Sequence, residues 1–250
     1  MSNHDNWIPE WSDLKIAISL LSRIPLHNEA QHLISRGPNH LWAFPIVGTL
    51  IGFICCCLGY IGLLLQLNNL AVGFLIVMGA VITTGAMHYD GLADTLDGLW
   101  GGWSADQRLD IMKDSHIGVY GVIGLVISAG LQAALYGQII QQSIWPIIGI
   151  MTISRAVIVP VMGFLENSRS SGLSSQVGKP KLQTIILAMT LGITIALLTD
   201  AWAAIGGAIL AAWTVGKIAK NKIGGQTGDI LGATQQLSEV SALICVATLL

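Results

Sequence analysis

Apolar runs separated by short polar connections dominate the chain. From Leu41 to Leu65 there is no charged residue at all. At about 1.5 Å per helical residue, such a run crosses a hydrocarbon core of about 30 Å. The same pattern predicts spans from Leu70 to about Met87, about Val119 to Ile140, Ile144 to Leu165, Leu182 to Thr199, Ala201 to Gly216 and Ile230 to Leu250. Asp200 alone separates the fifth from the sixth. Residues 1–10 read as a polar tail. From Trp11 to Ile24 the period changes: Trp11, Leu14, Ala17, Ile18, Leu21 and Ile24 share one face, and Asp13, Lys15, Ser19, Ser22 and Arg23 lie off it. That pattern predicts an amphipathic helix lying on the membrane surface and ended by Pro25. The expected architecture is therefore all-α, a polytopic integral membrane bundle of about seven transmembrane helices with an N-terminal interfacial helix. It reads as one membrane domain over 1–250, with 1–40 as tail and interfacial helix and 88–117 as an aspartate-rich segment. No internal repeat and no secretory signal is evident, since the apolar core near the N-terminus is short and broken by serines.

Composition agrees with this reading. Of 250 residues 53% are hydrophobic and 10% charged, far below the roughly 25% charged residues of soluble domains. A net charge of −2 offers no basic surplus for nucleic acid. Cys55, Cys56 and Cys57 are consecutive and Cys245 is remote, with no Cys-x-x-Cys spacing, so buried free thiols are expected rather than a zinc site or disulfides. Eleven of the twelve basic residues fall in the N-terminal region and the loops after the second, fourth and sixth spans. By the positive-inside rule these segments face the cytoplasm. In the linker from Leu26 to Asn39, His27 and His32 lack ligand-like spacing and read as solvated.

One segment breaks the apolar pattern. Met87 to Gly121 contains six of the fourteen acidic residues, Asp90, Asp94, Asp97, Asp106, Asp110 and Asp114. On a helix Asp90, Asp94 and Asp97 stand at i, i+4 and i+7 and share a face. Asp110 and Asp114 repeat the i, i+4 spacing. Converging carboxylates repel one another, and hard oxygen ligands suit Mg²⁺, Mn²⁺ or Ca²⁺. The competing reading is a solvated acidic loop, but the regular register with Leu92, Ala93, Leu96 and Leu99 between the aspartates favours a metal site. His88 and His116 flank the segment; either could donate to a phosphate, but a histidine that supports the neighbouring ligands or sits at the interface is the preferred reading of each. Asn221 to Asp229 carries Gly224, Gly225 and Gly228, which would let backbone amides approach an oxyanion near Lys222, Thr227 and Asp229. Arg155 and Glu239 are charges inside spans, costly in lipid unless they face a polar interior. They could pair with each other; for Arg155 a phosphate or a metal-bound carboxylate is the preferred partner.

Three segments carry a resemblance. His88-Tyr-Asp90-Gly-Leu-Ala-Asp94-Thr-Leu-Asp97-Gly98, then Ile111-Met-Lys-Asp114-Ser with Gly118 and Gly121, then Gly224-Gly-Gln-Thr-Gly228-Asp229 with Glu239, resemble the signatures of the cobalamin 5′-phosphate synthase family, the adenosylcobinamide-GDP ribazoletransferases. Weaker similarity covers Ser22 to Pro25, Phe44 to Gly48 and Ser154-Arg155. The resemblance implies a Mg²⁺-dependent enzyme of the bacterial inner membrane that joins adenosylcobinamide-GDP to α-ribazole or its 5′-phosphate and releases GMP. Implied metal ligands are Asp90, Asp94, Asp97, Asp110, Asp114, Asp229 and Glu239. Asp114 is the expected general base, and Asp94, Asp97 and Lys113 complete the catalytic set. Arg155, Lys222, Gly224, Gly225, Thr227, His88 and His116 are expected to hold substrate. Expected partners are the two substrates and membrane lipid, with room for a homo-oligomer. Asp94-x-x-Asp97-Gly98 with Asp110-x-x-x-Asp114 also resembles the CDP-alcohol phosphotransferases. It departs from them in having Gly101 and Gly102 where that family has Ala-Arg, and in a second aspartate pair that comes several residues early. A cation transporter is the non-enzymatic alternative, although its acids would lie near the bilayer midplane.

Overall fold

The computed structural model describes residues 8–26 and 36–249. The expectations for residues 1–7, His27, His32 and Leu250 lie outside them. Among the described residues the structure is helical, with one isolated parallel bridge between Asn167 and Gln226.

Helix α1 spans Trp11–Leu21. A 3₁₀ turn, Gly37–Ala43, runs into α2, Phe44–Leu64. There follow α3 (Asn69–Thr84), α4 (Met87–Gly101), the short α5 (Ala105–Ile111), α6 (Val119–Gln142), α7 (Trp145–Ala156) and α8 (Ile158–Phe164). The short α9 (Leu173–Val177), then α10 (Leu182–Leu198), α11 (Trp202–Ile223) and α12 (Gly228–Ala247) complete the chain.

Among the described residues five helices are long and apolar enough to cross a membrane: Gly37–Leu64, Val119–Gln142, Trp145–Phe164, Trp202–Ile223 and Gly228–Ala247. Of the other two expected spans, α10 is apolar but has 17 residues. Helix α3 reaches spanning length only together with α4, from which it is bent by 93°. The bend has a local cause. Gly85 and Ala86 take φ of 65° and 60°, and two successive left-handed residues turn the chain sharply. Helix α4 therefore leaves α3 at about a right angle.

Helix α7 is the centre. Every residue from Pro146 to Ala156 is buried, Thr152, Ser154 and Arg155 included, so protein encloses the helix on every side. It packs against α2, α10 and α12. At Val157 the helix breaks into α8, where Pro160 has no N–H to donate to the preceding turn. Helix α1 ends at Leu21, three residues before the expected Ile24, where Ser22 turns to extended backbone. Its buried Asp13 is held by Arg36 (Nε to Oδ1, 2.7 Å) and Trp42 (Nε1 to Oδ2, 2.9 Å), which ties α1 to the start of α2. The four cysteines are free thiols, but only Cys55 and Cys56 are buried as expected; Cys57 is exposed on the outer face of α2 and Cys245 half-buried.

Alternating helix directions place α1, α4, α5, the 165–181 loop and the 224–227 turn at one end of the bundle. That end holds most of the chain's charge.

Candidate active site at the end of the bundle

Helix α4 crosses α12 through two glycines. A Cβ on Gly91 would lie 2.9 Å from the carbonyl oxygen of Asp229, and one on Gly232 3.2 Å from the Cα of Gly91. Small residues let helix backbones approach this closely. The crossing brings Asp90 and Asp94 of α4 to Asp229 in the first turn of α12. Burial first, then the charges of Asp90 and Asp229, push the Asp94 carboxyl up to about 7.

The nearest resident cation is Arg169, in the loop after α8. Its Nη1 lies 2.9 Å from Asp229 Oδ2 while Nη2 donates to the Leu109 carbonyl at 3.0 Å. The Gly-rich turn positions it. Gln226 N–H donates to Glu166 O at 2.8 Å, and Ser168 N–H to Gln226 O at 2.9 Å. Gly225 permits this docking, since a Cβ there would lie 2.0 Å from Glu166 O. The backbone amide of Gln226 is thus used to hold the Arg169 loop. Gly224 ends α11 in the left-handed conformation, φ 81°. Thr227 caps α12 by accepting from Ile230 N–H at 3.3 Å. An isolated arginine in a Gly/Ser loop, on the same side as the aspartates, was the available sequence signal.

Beside this acidic mouth lies a cavity of about 310 Å³. Asp90, Asp229, Arg169 and Thr227 line its polar part, and Leu21, Phe44, Ile158, Met162 and Leu231 part of its apolar wall. His88 also lines it, buried, with neither ring nitrogen hydrogen-bonded. Such an orphaned imidazole is available to a bound ligand.

The remaining expected site residues go elsewhere. Asp97 is 7% exposed. Its carboxylate accepts from the N–H of Gly118 (2.7 Å) and of Gly121 (2.9 Å) at the start of α6. Both positions must be glycine-sized, because a Cβ on either would stand 2.4 Å from an Asp97 oxygen. This clamp tethers the 112–118 segment to α4. On that segment His116 Nδ1 lies 2.7 Å from Asp114 Oδ1, an exposed pair whose hydrogen bonds hold the Asp114 carboxyl below its usual range and raise the His116 imidazole. Asp110 faces solvent 3.8 Å from Lys113 Nζ. Lys222 donates to Leu99 O at 2.6 Å and stacks over Trp100 at 4.4 Å, so it stitches α11 to α4.

Arg155 and Glu239 meet each other, and the phosphate or metal-bound carboxylate expected for Arg155 gives way to this pair. Nη1 lies 2.9 Å from Oε2, each side chain 1% exposed. Tyr136 donates to the other Glu239 oxygen at 2.7 Å. Gln235 and Ser154 also donate to Oε2, so the acid is saturated within the bundle, apart from the mouth. Low-dielectric surroundings select this pairing, because either charge alone would be uncompensated.

Among the described residues no three His, Cys, Asp or Glu side chains group tightly enough to hold a metal ion by themselves. Mg²⁺ rarely needs such a cage: it takes one or two carboxylates, keeps waters and shares substrate phosphates. Asp90 and Asp94, beside an Asp229 already paired with Arg169, offer carboxylates of the kind that mode uses.

Comparison with known proteins bears on what this arrangement serves. Residues 13–247 match the family described as Cobalamin-5-phosphate synthase. The adenosylcobinamide-GDP ribazoletransferase of Allorhizobium ampelinum is 35% identical, covering 94% of this chain and 96% of that protein. Those of a Sinorhizobium species and of Brucella anthropi are each 34% identical, covering 94% and 91% of this chain and 95% and 93% of theirs. No solved structure matches the chain.

Proposed function

Since the chain belongs to the cobalamin-5-phosphate synthase family, we propose that it joins adenosylcobinamide-GDP to α-ribazole or α-ribazole 5′-phosphate, releasing GMP. One observation carries the reading at the level of the site: Asp90, Asp94 and Asp229 share a mouth with Arg169 over a largely apolar cavity. A pyrophosphate attached to a large, partly apolar molecule needs that combination of counter-charge and greasy wall. At about 310 Å³ the cavity is at the small end for ligand pockets, so it takes the reacting end of the substrates rather than a whole corrinoid.

Asp90, Asp94 and Asp229 would hold Mg²⁺. Bound there, the ion supplies charge neutralisation to the pyrophosphate and the departing GMP. Arg169 adds a fixed guanidinium for phosphate oxygens, and His88 an imidazole at the cavity wall. Asp97 orders the segment that carries Asp114 and His116. The family resemblance assigns the proton of the attacking ribazole hydroxyl to Asp114, whose carboxylate His116 holds by a hydrogen bond. The hydroxyl oxygen forms its bond to the corrinoid-side phosphorus as the bond to GMP breaks. The basic loops at this end of the bundle support a cytoplasmic site in the bacterial inner membrane.

The test is purified protein with adenosylcobinamide-GDP, Mg²⁺ and either α-ribazole or α-ribazole 5′-phosphate, with GMP assayed. Release of GMP only when both substrates and Mg²⁺ are present, abolished by EDTA, is the expected result. Turnover in metal-free buffer would remove Mg²⁺ from the reading. Turnover of CDP-diacylglycerol without corrinoid turnover would replace the substrate assignment altogether.

A further inference from the structure

A second hollow lies away from the acidic mouth, between α8, α10 and α11. It has a volume of about 590 Å³ and walls formed by Pro160, Val161, Ile185, Met189 and Ala212. Trp213, Lys217 and Lys220 border it along one face of α11, at i, i+4 and i+7. Trp213 is 59% exposed and Phe164 71%. Lys217 Nζ lies 4.9 Å from the Trp213 ring centre. Neither Lys217 nor Lys220 forms an ion pair with a described carboxylate, whereas Lys179, Arg36, Arg155 and Arg169 all do. An apolar trough open along a membrane helix, with two unneutralised ammonium groups and an interfacial tryptophan at its mouth, has the polarity of a lipid turned inside out.

We infer that this groove is a binding site for one anionic glycerophospholipid, its acyl chain lying along α8 and α10 and its phosphate between Lys217 and Lys220. Charge decides the headgroup: a zwitterionic lipid brings a cation to a place that already has two, while an anionic headgroup leaves the lysines balanced. Basic pockets between transmembrane helices at the interface bind such headgroups, with roughly a fivefold gain for each lysine near the surface. Polarity decides the tail, since away from Trp213, Lys217 and Lys220 the trough is lined by apolar side chains.

The experiment places the full chain in nanodiscs of phosphatidylcholine doped with phosphatidylglycerol, extracts it into mild detergent and counts retained lipid by native mass spectrometry. Three variants accompany it. Lys217→Gln with Lys220→Gln removes the charge. Lys217→Arg with Lys220→Arg keeps it. Gly216→Leu fills the trough with both lysines in place, and its backbone tolerates a side chain because a Cβ there meets only Leu165 Cδ1, at 3.6 Å. Expected is retention of one phosphatidylglycerol in preference to phosphatidylcholine, weakened by an order of magnitude or more in the glutamine and Gly216→Leu variants and kept in the arginine variant. Equal retention of the two lipids overturns the proposal. So does full retention by the glutamine variant, full retention with the trough filled, or displacement of the lipid by inorganic phosphate alone.

Discussion

Gly91 of α4 and Gly232 of α12 face each other across the helix crossing, with no room for a Cβ between Gly91 and the Asp229 carbonyl. This contact sets the separation of Asp90 and Asp94 from Asp229. Gly91→Ala therefore wedges the carboxylates apart at the point where they must act together. Overpacking of this kind costs about 1–3 kcal/mol. The loss of GMP release should exceed what that cost explains, measured well below the melting temperature in detergent. Full activity in a destabilised Gly91→Ala protein would show that the spacing is not critical.

Two aspartates three residues apart should fail in different ways. Asp97→Asn turns an amide NH₂ toward one of the two glycine N–H groups and leaves it unsatisfied, at about 1–3 kcal/mol. Amide exchange at Gly118 and Gly121 should accelerate. Asp94→Asn should leave that exchange unchanged while lowering GMP release by about a hundredfold or more. Hydrogen-exchange mass spectrometry beside the turnover assay separates the two, and matching behaviour would remove the distinction between clamp and ligand.

The Arg155–Glu239 pair lies at 1% exposure on both sides. Removing one partner strands the other charge, so Arg155→Met or Glu239→Gln should each cost about 3–5 kcal/mol. The double variant should regain a large part of that loss, read as thermal unfolding in detergent. Additive losses would mean that the surrounding Tyr136, Gln235 and Ser154 bonds matter more than the ion pair.

Acid should release the N-terminal helix. Burial alone would raise the Asp13 carboxyl, but hydrogen bonds from Arg36, Trp42 and the Glu10 N–H outweigh it and hold the group below the ordinary value of 3.8. A depressed carboxyl contributes stability that is present above the unfolded value and lost as pH falls through the lower folded one. Pepsin should thus cut around Leu20 and Leu21 increasingly as pH falls below 3.8. Asp13→Asn should expose the same bonds already at pH values where the unmodified protein resists. Equal resistance in both proteins would show that the contact is not what anchors α1.

Much was legible along the chain because it depends on neighbours in sequence. Uncharged runs long enough to cross a membrane and three aspartates on one helical face follow from local period and polarity, whereas the first helix buries Asp13 and Ile16 and exposes Trp11, against the face its period predicts. The regular placement of Asp90, Asp94 and Asp97 survives in α4, yet their fates diverge. Asp97 is turned inward to cap α6, and Asp90 and Asp94 meet Asp229. Nothing local could assign those partners, because they depend on which helices cross and how closely. The same holds for Arg169, whose importance comes from a turn docked by Gly225, and for Glu239, which a buried arginine claims. Spacing along a helix is a property of the covalent chain, but the pairing of charges is settled by packing in a low-dielectric interior, where an unpartnered charge is too costly to keep.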